Sequence, residues 1–546
     1  VRKGYRVRAA DRYALVDSAT AAIARDLRLA PPAATAAQLR TSSPAAYALY
    51  DEGLRAYYGY DAPAAFRLMS AALARDSNFA MAAYYVWHLG DFLHGRSSEA
   101  QILPQLKRLA LRTIERERLL IQASVAENDA PVPSMVALAE TLTVKYPEDP
   151  DGQIVLGQVR NKQGDWAGAV AAFERAFALD SLAGALSGPY CRVCRALGLM
   201  VQSYTWWDSL AAAERSSRRL IGVRPNEAGT WNNLIEVLLR LGRRAEAEDA
   251  WAKQADPTGD WSGYLMHRDL IRWGHYDQAD RELIEEIPNR TAHIRSDAWW
   301  LLLLSLRDQG RLREADTLIH HWRVPNTKLL LPEPGPEPVD LALLALEMGR
   351  PSISIRAHLA SAAGIATWDA PAAIKARNLV WQLTLAGTAH AAAGDTTAVR
   401  RLADSLEALG PASNYGRDAN LHHFLKGLLL QQEGRHADAV DAFRRSLFSL
   451  TDGYTRANLM LARSLLALHR AAEAVPVLQP AIRGGVDGSN TYVSRTELHE
   501  ALAEAFEQAG KRDSAVVHWR AVESGWRRAD PQFRDRYLRA KQKAGL

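Results

Sequence analysis

The pattern of apolar and polar positions along this chain is helical, and it recurs in units of two short helices. It is clearest over residues 150–183, where two amphipathic segments flank Gly164 and Asp165. In the second segment the small and apolar positions recur at helical spacing, at Trp166, Ala169, Phe173 and Ala176. Short side chains let two helix backbones approach closely. The segment therefore predicts a helix hairpin whose apolar face needs a neighbouring hairpin to cover it.

Several positions of this unit match the motif of a known repeat family. The matching residues are Leu156-Gly157 and Ala169-x3-Phe173. With them the unit resembles the tetratricopeptide repeat, which has a period of about 34 residues. Gln153 stands where that family has its opening Trp, and Ser181 stands where it has its closing Pro. The resemblance implies an architecture and leaves the ligand open.

The implied fold class is all-α. We expect an α-solenoid, a right-handed superhelix of stacked tetratricopeptide helix hairpins. Turn glycines such as Gly242, Gly310 and Gly434 separate the two helices of successive units. By this criterion roughly a dozen helix pairs follow one another along the chain.

One proline-rich stretch divides this array. Residues 331–340 read LPEPGPEPVD, and four prolines with a glycine cannot continue a helix. We therefore predict a hinge or loop there, between a repeat lobe at 45–330 and a second lobe at 341–546. The tail RYLRAKQKAGL predicts a polar capping helix, and 1–44 predicts an N-terminal segment left over from an upstream domain.

Composition and charge narrow the function classes. The chain has 546 residues, 24% of them charged, with a formal net charge of +5. Arginines are scattered among acidic residues instead of forming one basic stripe, which argues against nucleic-acid binding. No run of about 18 apolar residues is present, so the sequence predicts no membrane span. We expect a cytoplasmic location, or an extracytoplasmic one if a membrane segment lies upstream.

Motifs for metal, redox or catalytic chemistry are incomplete. Cys191 and Cys194 form a CxxC that suits a redox pair or half a zinc site, but no second ligand pair follows and no strand precedes it. We interpret them as two small buried residues. The histidine motifs are incomplete or poorly oriented for a chelate: His320-His321, His422-His423, and His499-Glu500 with Ala503 at the second ligand position. We predict no metal, no cofactor and no catalytic residue.

In tetratricopeptide arrays the first helix of each pair lines the concave face, so polar and aromatic residues there are candidate partner contacts. Asn can bond a peptide backbone, and Arg can bond carboxylates. The alternative is ordinary surface and packing. The candidates are Gln158, Asn161, Asn232, Glu236, Trp261, Tyr264, Arg268, Trp300 and Arg307.

A second candidate surface lies near the end of the chain. Four glutamates share one predicted helix, which gives it an acidic face: Glu497, Glu500, Glu504 and Glu507. A solvated capping helix is the simpler interpretation.

Three functions follow from these patterns. The first is a non-catalytic scaffold that binds a protein or peptide in its concave groove. The second is a regulatory region, because DRYALVDSATAAIARDL followed by TSSPAAYALYDEGLRAYY resembles the junction in bacterial signalling proteins. In those proteins a kinase, cyclase or DNA-binding module precedes the repeats. The third is a helical-repeat enzyme, which requires a deep pocket with converging titratable groups.

Overall fold

A computed structural model describes most of the chain. The described residues are 41, 43–59, 61–94, 96–185, 192–254, 260–286, 292–321, 339–486 and 491–546. Nearly all of the predicted segment 1–44 and of the hinge 331–340 lies outside them. Both assignments therefore stay predictions, as does the division into lobes at 45–330 and 341–546.

Throughout the described ranges, every regular element is helical. Taken two at a time, the α-helices form thirteen consecutive pairs and one last helix. The pairs, numbered 1 to 13 in chain order, are α1 (Pro44–Tyr58) with α2 (Ala62–Arg75), α3 (Ala80–His94) with α4 (Arg96–Ala110), α5 (Glu115–Asp129) with α6 (Val132–Lys145), α7 (Pro150–Gln163) with α8 (Trp166–Ala185), α9 (Arg192–Trp206) with α10 (Leu210–Val223), α11 (Ala228–Arg240) with α12 (Arg244–Lys253), α13 (Asp260–Arg272) with α14 (Tyr276–Glu286), α15 (Ala292–Asp308) with α16 (Leu312–His321), α17 (Val339–Glu347) with α18 (Pro351–Ala366), α19 (Ala372–Ala392) with α20 (Thr396–Leu409), α21 (Leu421–Gln432) with α22 (His436–Ser446), α23 (Arg456–Ala467) with α24 (Ala471–Arg483), and α25 (Arg495–Gln508) with α26 (Arg512–Trp526).

The last helix is α27 (Arg534–Lys543). Short 3-10 turns at 410–412, 416–420 and 531–533 lie between helices in the last third of the chain. The all-α, helical-repeat class predicted from the sequence is confirmed.

The turn inside each pair has the same backbone geometry from pair 4 to pair 13. Each contains one residue with positive φ, and in eight of the ten pairs that residue is a glycine. Such a residue ends the first helix and turns the next N–H back to a helical carbonyl, as when Lys511 N–H donates to the Phe506 carbonyl (2.8 Å). Asp208 and His469 take this position in pairs 5 and 12.

One compact unit comprises the described residues of Val1–Ala126, Met135–Leu156 and Ala172–Ala196. Its interior is rich in tyrosine. The Tyr57 hydroxyl accepts a hydrogen bond from Arg195 and lies 3.1 Å from His88 Nε2. Burial, and then Arg195, lowers the pKa of His88 to about 3. The imidazole is therefore neutral, and its Nε2 can accept a hydrogen bond from the Tyr57 hydroxyl.

The second compact unit comprises the described residues of Glu127–Ser134, Gly157–Ala171 and Leu197–Leu546. Its largest apolar cluster draws on helices from α17 to α27 and contains the fully buried rings of Phe424, Phe443 and Trp519. Separate apolar clusters lie around Leu270–Ile319 and around Leu234–Leu265. Several apolar clusters, rather than one, therefore stabilise this unit.

Small residues allow the close helix contacts that the sequence pattern predicts. In pair 11, a Cβ built on Gly427 would lie 2.6 Å from the Phe443 ring, which is far inside van der Waals contact. Phe443 has no exposed surface and cannot move outward. The glycine is therefore required by packing.

No helix in the described ranges is both long and apolar enough to cross a bilayer.

We predict that Gly427→Ala lowers the melting temperature, because the new methyl group clashes with Phe443. Overpacking of this kind costs about 1–3 kcal/mol. The matched control is Gly198→Ala, at a helical glycine in α9 with no atom within 4 Å of the added Cβ. This control should be neutral or stabilising by up to about 1 kcal/mol, since alanine favours helix. Circular dichroism melts measure both, and equal melting of the two variants would contradict the packing assignment.

Candidate protein-binding surfaces

The nine predicted partner contacts lie on the first helices of pairs 4, 6, 7 and 8, namely α7, α11, α13 and α15. The structure describes the helix that carries Trp261 and Tyr264, but their side chains lie outside the described part. Four of the remaining side chains are half-buried and three are buried. They are Gln158, Asn232, Glu236 and Trp300 in the first group, and Asn161, Arg268 and Arg307 in the second.

Glu236 is the centre of a charged cluster on α11 and α13. Its Oε1 lies 2.7 Å from Arg240 Nε, 3.4 Å from Arg268 Nη2 and 3.3 Å from Arg272 Nη2. Burial raises the pKa of Glu236, but the three arginines outweigh burial and hold this pKa well below the usual range. Arg240 also reaches Asp452 (3.2 Å), so the cluster joins pair 6 to the segment after pair 11.

Burial, and neighbouring arginines, lower the pKa of Arg272 to about 10. Arg272 nevertheless stays charged at neutral pH. Glu236 therefore contacts three guanidinium groups inside the protein, and removing its carboxylate would take away the ion pair of the buried Arg272.

Arg307 and Asn161 are also used inside the chain. Arg307 forms a two-pronged ion pair with Glu347 of α17 (2.9 and 2.5 Å) and donates to the Thr491 carbonyl (2.8 Å). The Asn161 side-chain oxygen accepts from the Ser203 hydroxyl of α9 (2.9 Å). These side chains are bonded to other repeats rather than left open to a partner.

A set of contacts that the sequence did not predict joins the C-terminal ends of first helices to distant segments. We call residues 447–455 and 491–496 the seam segments. Their hydroxyl groups donate to carbonyls at the last turns of α9 and α15. The bonds are Ser449 to Trp206 O (2.6 Å), Thr451 to Thr205 O (2.9 Å) and Thr496 to Asp308 O (2.6 Å).

Arg495 completes this arrangement by donating to the carbonyl of Arg272, the last residue of α13 (3.3 Å). The last carbonyls of a helix have no partner within the helix, and their partial negative charge favours a cationic donor. The seam segments therefore cap three first helices.

Loop length is the signal for these contacts in the sequence. The connection between α2 and α3 is only residues 76–79, whereas those after α20 and α22 run 410–420 and 447–455. Long polar connections between otherwise short-turned repeats indicate segments with a structural or binding role.

An open cleft lies between α10, α11 and α12, away from the seam segments. Its volume is about 410 Å³. Apolar side chains form most of its lining and charged side chains lie among them: Ile221, Trp231, Leu234, Leu238 and Ala250, with Arg218, Glu246, Asp249 and Lys253. Gly222 on α10 leaves open space, with no atom within 4 Å of a Cβ built there.

The cysteine and histidine motifs raise a second class of site, for metal or thiol chemistry. In the described ranges, no group of three or more His, Cys, Asp or Glu side chains is placed to hold a metal ion. Cys194 is fully buried and disulfide-bonded, and Cys191, the only other cysteine, lies outside the described residues. The ring centroids of His422 and His423 lie 3.9 Å apart with their planes tilted by 41°, and His422 Nδ1 lies 3.0 Å from the Ala419 carbonyl oxygen.

A family model described as tetratricopeptide repeat matches residues 136–183. The resemblance to the tetratricopeptide repeat is confirmed. No curated protein matches the chain.

Two solved structures similar to this chain are the APC/C hetero-tetramer Cut9-Hcn1 and the P58(IPK) TPR domain. The first is 13% identical, with 91% of this chain and 96% of that chain covered, at a TM-score of 0.29. The second is 11% identical, with 79% and 99% covered, at a TM-score of 0.20.

Asp308, the last residue of α15, should make the stability of the protein depend on pH. Burial raises the pKa of Asp308 to about 7, although Arg495 and Arg307 oppose the shift. In the unfolded chain an aspartate has a pKa of about 3.9. The folded state therefore binds the proton more tightly, and stability falls as pH rises between these two values and then levels off.

Asp308→Asn keeps a neutral group at this position at every pH. We therefore predict that its melting temperature, relative to that of the wild type, increases from about pH 4 to about pH 7 and is constant above that. The control is Asp438→Asn, whose side chain on α22 is 54% exposed. Melts across this pH range measure the effect, and a difference independent of pH would contradict the assignment.

Proposed function

We propose that this chain is a non-catalytic scaffold that binds a protein partner, and that an amphipathic segment of the partner lies in the cleft between α10, α11 and α12. The observation that supports the proposal most is the composition of this cleft. Its apolar lining can cover the apolar side chains of a peptide, and its charged residues can contact the polar face. A volume of 410 Å³ is in the range of roughly 300–1,000 Å³ that binding clefts occupy.

The charges in the cleft favour a partner that carries both signs. Lys253 pairs with Asp249 along α12 (2.5 Å), and Arg243 pairs with Glu246 (2.5 Å). These pairs are exposed and individually weak, so a partner can exchange with them at little cost. We expect affinity to come mainly from apolar anchors and orientation to come from the charges.

The nine residues predicted from the sequence form the alternative surface for the same function. Gln158, Asn232, Glu236 and Trp300 are half-buried, so a partner can reach part of each. Arg268 and Arg307 are buried in ion pairs, and their contact with a partner requires those pairs to open. The cleft needs no such rearrangement, which is why we favour it.

We predict that Gly222→Leu abolishes partner binding, because the new side chain fills the cleft without removing any existing contact. Gly198→Leu is the matched control, since it makes the same change on α9 with equally open space around the Cβ position. The tagged full chain is used to capture partners from an extract of the source organism, and proteins are identified by mass spectrometry. A partner retained by wild type and Gly198→Leu should be lost or weakened at least about tenfold by Gly222→Leu.

Titration calorimetry with the purified partner then gives the three dissociation constants. If Gly222→Leu binds as tightly as the wild type while Trp300→Ala weakens binding, the partner occupies the alternative surface and the cleft assignment fails.

A further inference from the structure

The last helix, α27, lies along α25 with its basic side chains opposite the glutamates of that helix. The ion pairs are Arg536 with Glu500, Arg539 with Glu504 (2.7 Å), and Lys543 with Glu507 (3.0 Å). Both rows advance in the same chain direction, so the two helices run parallel. The acidic face predicted from the sequence is therefore covered by the basic tail.

Packing and aromatic contacts accompany the ion pairs. Ala540 on α27 and Ala544, the residue that follows its last turn, are both buried. The guanidinium of Arg536 lies 4.2 Å from the Trp526 ring centroid, and that of Arg539 lies 5.1 Å from the Trp519 centroid. We call Glu500, Glu504, Glu507, Trp519 and Trp526 the helix-binding face.

Two of the three ion pairs that hold α27 are largely exposed, whereas the side chains of Arg536 and Glu500 are only 34% and 10% exposed. The side chains of Arg539 and Glu504 are 46% and 35% exposed, and those of Lys543 and Glu507 are 43% and 30% exposed. Ion pairs at this exposure contribute little and weaken with salt. The one fully buried residue of α27 is Ala540, which covers little apolar area, and Tyr537 packs against the apolar cluster while only partly buried. A helix held this way opens more readily than one in the apolar core.

We propose that the helix-binding face is a recognition surface for a basic amphipathic helix of a partner protein, and that α27 occupies it within the same chain until the partner displaces it. The register of α27 defines the partner. The partner helix has basic residues at positions i, i+3 and i+7, which correspond to Arg536, Arg539 and Lys543. The partner helix also has small residues at positions i+4 and i+8, which correspond to Ala540 and Ala544.

Displacement has a measurable consequence. The face can accept a second helix only in molecules whose α27 has left it, so the apparent affinity is the intrinsic affinity reduced by that fraction. A change that weakens α27 without touching the face must therefore tighten the binding of an added helix. The surface differs from the cleft between α10, α11 and α12, so the two proposals fail independently.

The experiment uses the full chain and a fluorescent peptide with the sequence of residues 531–546. Arg536→Glu with Arg539→Glu reverses the charge of α27 and leaves the face intact. By fluorescence anisotropy, this double variant should bind the peptide at least about tenfold more tightly than the wild type. Arg435→Glu with Arg444→Glu is the matched control on α22, and it should bind as the wild type does.

Two further changes identify the face as the binding site. Adding Glu504→Lys to the tail variant should weaken peptide binding about tenfold, and a peptide with Arg539→Glu should bind the tail variant more weakly by a similar factor. Raising the salt concentration should weaken binding. Equal binding by wild type and tail variant, or binding that Glu504→Lys leaves unchanged, would overturn the proposal.

Hydrogen exchange on the wild type provides a test that does not depend on a variant folding. Amides of α27 should exchange faster than those of α25, and the difference should grow with salt. Equal protection of both helices would overturn the proposal. Concentration-dependent dimers of the wild type that Glu504→Lys abolishes would also overturn it, because the occupant would then be the α27 of a second copy.

Discussion

The second compact unit depends on satisfying the carbonyl groups at the ends of its first helices. The last carbonyls of any helix lack an intrahelical partner, and burying them without a donor is costly. In this protein, Ser449, Thr451, Arg495 and Thr496 supply the donors for α9, α13 and α15. These donors lie more than 180 residues along the chain from the carbonyls they bind.

The same packing of distant segments also buries charged side chains. Glu236 holds three arginines on the first helices of pairs 6 and 7, and Arg307 joins Glu347 to the Thr491 carbonyl. Such groups are stable in the interior only while all partners stay in place. Among the first-helix residues that the family resemblance assigns to partners, Asn161, Glu236, Arg268 and Arg307 therefore make contacts within the chain. The partner surfaces that we propose lie elsewhere, in the cleft between α10, α11 and α12 and on the face beneath α27.

The helices could be predicted from the sequence because local periodicity determines them. Gly242, Gly310 and Gly434 end their helices by adopting positive φ, as their positions predict. The side-chain environments of Arg268 and Arg307 could not be predicted, because a polar residue on a helix face is consistent with either solvent or a distant partner. The residues that decide between these, such as Thr491 and Glu347, lie in other repeats, and the repeat period does not specify which repeats meet. The acidic face of α25 was visible in sequence, but its pairing with the tail depended on the register of two separate helices.

The central claim is that segments distant in sequence hold the second compact unit together through direct polar contacts. Asp208, in the turn of pair 5, forms an ion pair with Arg483 at the end of pair 12. A double-mutant cycle with Asp208→Asn and Arg483→Gln isolates this contact, and asparagine tolerates the positive φ of position 208. We expect each single change to lower the melting temperature, and the double variant to melt no lower than the worse single variant. A double variant whose melting temperature falls by the sum of both single effects would contradict it.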